Sequence, residues 1–124
     1  MVFTKKLCYT DSKGTFEPIN KEDIPMQLTV RQPSASEDAK HYTTERLRGE
    51  YLIETVFAPD DAILTYSHFD RIIAGGVMPV SKSVELVGCK ELASDTFLQL
   101  REMGVINIGG KGKIAVDGVE YDLK

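Results

Sequence analysis

The chain has 124 residues, 42% hydrophobic and 27% charged, which suits one soluble domain with a sizeable core and excludes a disordered chain. Its net charge of −4 is spread along the sequence, and no basic cluster follows Lys5–Lys6. Nucleic acid is therefore not an expected partner, because neutralising several phosphates takes a concentrated patch of Lys and Arg.

Residues 1–25 mix Lys, Asp, Glu, Gly and Pro without an apolar period, which predicts a loop or disordered segment. From Met26 the texture changes. Ser34-Ala-Ser-Glu37 has capping-box spacing and predicts a short helical turn. A second turn is predicted from Thr44, whose hydroxyl would cap it, and Gly49 predicts that it is short. Strands are then expected at 52–57, 62–66, 71–74, 82–87, 96–100 and 104–108, each bounded by turn residues or glycine. The pair Gly75-Gly76 is expected to end the third of these, and residues 91–94 fit a single helical turn. Asp117-Gly118 predicts a type I′ hairpin in which Val116 faces Val119 and Ile114 faces Tyr121 on one side, with Ala115 and Glu120 on the other. Short strands at this spacing indicate an all-β sandwich or barrel.

No membrane association is expected, because the longest apolar stretch, 72–80, contains Gly75, Gly76 and Pro79 and is under half a membrane span. The first ten residues lack a signal-peptide apolar region. A cytoplasmic location is the resulting expectation, with Cys8 and Cys89 as reduced thiols.

Few motifs rise above a bland reading. Gly110-Lys-Gly112-Lys-Ile-Ala115 matches a loose dinucleotide fingerprint, but the hairpin that follows leaves no helix to hold a pyrophosphate. Asp60-Asp61 fits turn residues that accept backbone N–H bonds better than an acid–base pair. His68-Phe-Asp70-Arg71 is the most polar cluster. On a strand, His68 and Asp70 would share a side as two metal ligands or an oriented base. The alternative is a His–Asp or Asp–Arg pair that satisfies buried or interface groups.

Three stretches carry a resemblance. Tyr66-Ser-His-Phe-Asp-Arg-Ile-Ile-Ala-Gly-Gly-Val-Met-Pro79, the run from Arg101 to Gly118 and the run from Leu47 to Phe57 resemble segments of the 5-keto-4-deoxyuronate isomerases. The likeness runs from about Met26 to Lys124. It departs at Gln99-Leu100, where the family tends to have Glu-Arg, and at Gly49. Met26 resembles the family start, so residues 1–25 are expected to be an extension. Residues 26–124 are then expected to form a truncated N-terminal cupin-like, jelly-roll domain.

The resemblance implies a bicupin subunit, a homohexamer and a sugar-acid substrate. The implied reaction interconverts 5-dehydro-4-deoxy-D-glucuronate and 3-deoxy-D-glycero-2,5-hexodiulosonate in pectin breakdown. It also implies zinc in the full-length enzyme, held by three histidines and a glutamate in a C-terminal His-x-His…Glu…His pattern. This sequence has no His-x-His, so no ligand carries over, and the chain alone is expected to bind no zinc and to be inactive. Tyr66, His68, Asp70 and Arg71 are the candidate substrate-binding or interface residues. The competing reading is a non-catalytic β-sandwich with a structural or sugar-binding role.

Overall fold

The computed structural model describes the backbone of Leu7–Thr10 and the whole of residues 26–124. Among these residues the chain is mostly strands in two sheets with few helices, as a β-rich reading requires. The first sheet holds β2 (Met26–Arg31), β3 (Ala62–Ser67) and β4 (Ile72–Val77) in that order. β2 and β3 run parallel, and β3 and β4 antiparallel. A parallel pair needs a long crossover. Here it contains α1 (Ser36–Ala39) and α2 (Thr44–Tyr51), neither of which has a buried residue.

Both helices differ from the predicted caps. The box at Ser34 does not form: the N-cap of α1 is Ala35, with no side-chain bond. In α2 the cap is Thr43, whose hydroxyl accepts the Arg46 N–H at 3.3 Å, and Thr44 is the first helical residue. As expected α2 is short, eight residues, and it ends at Tyr51, two residues after Gly49.

Residues 52–57 are not a strand. They form no ladder, but Val56 and Phe57 lie against β4 at Gly76. A Cβ built on Gly76 would lie 2.3 Å from the Phe57 ring and 2.4 Å from the Val56 carbonyl oxygen. A Cβ on Gly75 would meet the Ile63 carbonyl oxygen at 2.0 Å. These glycines therefore do not end β4, as the sequence suggests. The strand runs through them because two backbones approach too closely there for a side chain.

The second sheet has the order β5-β1-β6-β7, with β1 (Leu7–Thr10), β5 (Val84–Leu86), β6 (Gly112–Val116) and β7 (Val119–Leu123) all antiparallel. β1 corrects the loop reading at Leu7–Thr10: Cys8 is registered with Glu85 on one side and Ala115 on the other. Leu-Cys-Tyr-Thr is too short for a period to show, and its strand state comes from having neighbours on both sides. The rest of the 1–25 expectation lies outside the described residues.

The hairpin forms in the expected register, Val116 with Val119, Ala115 with Glu120 and Ile114 with Tyr121. Asp117 and Gly118 both take positive φ, 51° and 80°, as a type I′ turn demands. Lys113 donates to Glu120 across it at 3.0 Å. Only the β6 half of its apolar face is covered, since Ile114 is 8% exposed while Val119 and Tyr121 are 53% and 55% exposed.

The core lies between the sheets. Leu64 and Tyr66 come from β3, Val84 and Leu86 from β5, and Ile114 from β6. Each large apolar side chain buried this way contributes about 1.5–3 kcal/mol. Leu92 and Phe97 complete the core from irregular backbone. Leu92 sits in a 3-10 turn, Lys90–Leu92, close to the helical turn expected at 91–94. Residues 96–100 are bend and turn, not the predicted strand, and Phe97 reaches the core from there. Residues 104–108 form no strand either.

Candidate functional site

The polar cluster falls in the turn between β3 and β4. Because His68–Arg71 is a turn rather than a strand, His68 and Asp70 do not share a sheet face as strand geometry would have placed them. The turn is tied to β2: the His68 N–H donates to the Arg31 carbonyl at 3.0 Å, and the Phe69 N–H to the Ser67 hydroxyl at 3.3 Å. Arg71 takes φ 54° to re-enter β4, a left-handed conformation that a long side chain adopts at a cost of about 1–2 kcal/mol. His68, Asp70 and Arg71 are all exposed.

Tyr66 is different in kind. At 6% exposure its ring belongs to the core. His68 stacks on it at 4.6 Å between centroids, tilted by 43°, and the Arg101 guanidinium lies 5.2 Å from the same ring. A cation over a tyrosine face gains about 0.5–2 kcal/mol depending on solvent access. Tyr66 thus joins His68 to Arg101, a residue the sequence patterns did not single out. Only the tertiary placement of residues 96–101 brings Arg101 there.

Arg71 and Arg101 both line an open cleft of about 930 Å³ between β4 and residues 101–110. Its walls are mainly apolar, with Ile73, Val77, Phe97 and Ile106 among them. The charged lining is two arginines and the Glu102 carboxylate, and an arginine supplies a planar pair of donors to a bound carboxylate. His68 and Asp70 stand outside the lining.

Asp60 and Asp61 are the turn acceptors that the sequence indicates. The Asp60 carboxylate accepts the N–H groups of Val80 and Ser81 at 2.7 Å each, that of Lys82 at 3.2 Å and the Ser81 hydroxyl at 2.5 Å. The Ser81 hydroxyl first, and then these N–H groups, hold its carboxyl well below the usual carboxylate range. Asp61 accepts from the Ala62 N–H at 2.7 Å and the Gln27 amide at 2.6 Å. Neither carboxylate is free for acid–base work.

The glycine-rich stretch from Gly110 opens β6 and no helix, so no phosphate cradle exists there. Cys89 is a free thiol whose pKa burial pushes up, which disfavours the nucleophilic thiolate. The Cys8 side chain lies outside the described residues. Among the described residues no three His, Cys, Asp or Glu side chains converge as a metal site, and no helix is long and apolar enough to cross a membrane.

No protein-family model matches the chain. It is, however, 48% identical over 97 residues to a 4-deoxy-L-threo-5-hexosulose-uronate ketol-isomerase of Lachnoclostridium phytofermentans, covering 78% of this chain and 35% of the relative. A protein of the same name from Lachnospira eligens is 50% identical over 97 residues with the same coverage. One from Yersinia pestis is 54% identical over 99 residues, 77% of this chain and 35% of the relative. The chain thus spans about a third of the length of the curated relatives it matches.

Proposed function

We propose, from the chain's homology to the 4-deoxy-L-threo-5-hexosulose-uronate ketol-isomerases, that it is the N-terminal, cupin-like part of such an enzyme. The proposed reaction interconverts 5-dehydro-4-deoxy-D-glucuronate and 3-deoxy-D-glycero-2,5-hexodiulosonate in cytoplasmic uronate catabolism. The carrying observation is identity of about 50% over more than three quarters of the chain with relatives from several organisms.

A ketol isomerisation moves a proton between neighbouring carbons through an enediol, so it needs a base near the carbon and a group that stabilises the developing oxyanion. Zinc, which the resemblance assigns to the whole enzyme, takes about three protein ligands in a catalytic site. The described residues offer no such convergence. In this reading the chain contributes framework and cations. Arg71 and Arg101, on the same cleft, meet the sugar-acid carboxylate or a neighbouring subunit of the hexamer, and Tyr66 with His68 fixes Arg101.

The test is a chimera in which this chain replaces the matched stretch of the Lachnoclostridium phytofermentans isomerase, assayed for isomerisation of the uronate. Turnover within about tenfold of the parent, a barrier change of about 1.4 kcal/mol, is the expected result. A folded chimera without turnover overturns the reading and favours a non-catalytic sugar-binding or structural module.

A further inference from the structure

The chain's arginines divide by what their N–H donors do. Arg31 donates to the Leu52 carbonyl at 2.5 Å, Arg46 pairs with Glu50 at 3.9 Å, and Arg48 pairs with Glu54. Arg71 and Arg101 have neither a hydrogen bond nor an ion pair among the described residues. These two are the arginines that line the cleft. Glu102 shares the lining but forms no ion pair with either, so nothing on the described chain neutralises them.

Arg101 differs from Arg71 in how it is held. Its guanidinium carbon lies 5.2 Å from the centroid of the Tyr66 ring, and that ring is fixed in the core. A cation–ring contact uses up no N–H, so the donor fork stays available. Arg71 has no such ring among the described residues and leaves an exposed turn. The wall that carries Arg101 is itself tied down. The Asn107 side-chain amide donates to the Gly110 carbonyl at 2.9 Å and to the Lys124 carbonyl at 3.0 Å.

We infer that Arg101 is the specificity-determining residue of the cleft, reading the carboxylate of the sugar acid, with Tyr66 as its positioning residue. The inference rests on the proposed function and narrows it, since it assigns Arg101 to the substrate and not to a neighbouring subunit. A guanidinium already seated on a buried ring loses less freedom on binding than one that is not.

The same chimera tests it by steady-state kinetics. Arg101→Met is expected to raise KM for the uronate by about 10–100-fold with kcat within about threefold of the parent. Arg71→Met is expected to raise KM by less. Tyr66→Leu, which removes the ring, is expected to raise KM by about tenfold, and Tyr66→Phe, which keeps it, by less than about threefold. Arg48→Met, on α2 outside the cleft, is expected to leave KM unchanged. Should Tyr66→Leu not fold, Arg101→Met decides alone, since Arg101 lies outside the core. An unchanged KM in Arg101→Met, a loss confined to kcat, or a larger effect at Arg71 would overturn the inference. An active chimera indifferent to Arg101→Met fails this inference alone. An inactive chimera that binds the uronate in calorimetry, with Kd raised about tenfold or more by Arg101→Met, fails the proposed function alone. One that neither turns over nor binds fails both.

Discussion

The β6–β7 hairpin and the segment 96–108 are built from similar residues and end in opposite states. Both are short, rich in β-branched and apolar side chains, and punctuated by glycine. The hairpin forms because its partner lies two residues away, across Asp117-Gly118, and the turn alone sets the register. Segment 96–108 stays irregular among the described residues because no neighbouring strand reaches it. Strand composition is local, but strand formation is a property of pairs.

The contrast can be broken at the turn. Gly118→Val places a β-branched residue at φ 80°, in a region such residues avoid, at a cost of about 1–3 kcal/mol. A Tm fall of roughly 5–10 °C in thermal unfolding is expected, with loss of the Lys113–Glu120 pair. An unchanged Tm would mean that β7, with its exposed Val119 and Tyr121, contributes little to the fold.

A smaller effect sharpens the other side, where loops rather than ladders hold the chain. Asp60 pins residues 80–82, and its carboxyl is held low by the Ser81 hydroxyl and the backbone N–H groups. A group whose folded pKa is depressed stabilises the fold above its unfolded pKa, and that contribution is lost as pH falls toward the folded value. Asp60→Asn is therefore expected to lower Tm modestly at pH 7. Its gap to the parent should narrow as pH drops below the ordinary value of 3.8. A gap independent of pH, in parallel melts from pH 7 to about 2.5, would remove the carboxylate's role.

Much of the fold was legible where its cause was local. The strands at 62–66, 71–74 and 82–87, the turn role of Asp60-Asp61 and the hairpin register were readable from alternation and turn chemistry, and each has its structural counterpart. What failed depended on contacts. Gly75-Gly76 looks like a terminator until the Ile63 carbonyl and the Phe57 ring are seen against it. Residues 52–57 have strand composition but form no strand, and Val56 and Phe57 lie against Gly76 of β4. Phe97 reads as a strand residue and serves as a plug from a turn. Leu7–Thr10 is a strand only because β5 and β6 flank it.

The candidate site divides along the same line. The sequence marked His68, Asp70 and Arg71 as a cluster, yet a strand reading misplaced their side chains because the turn starts at His68. Arg71 reaches the cleft, Tyr66 supports it from the core, and His68 and Asp70 stay outside. Arg101 and Asn107 carried no signal in spacing. Their roles arise from where residues 96–110 lie against β3, β4 and the end of β7.

Amide hydrogen exchange across residues 101–108 and across the β6–β7 hairpin tests this contrast most directly. Exchange near the unprotected rate in 101–108, beside exchange slowed by about 100-fold or more at the paired amides of the hairpin, is the expected result. Equal rates in the two segments would contradict it.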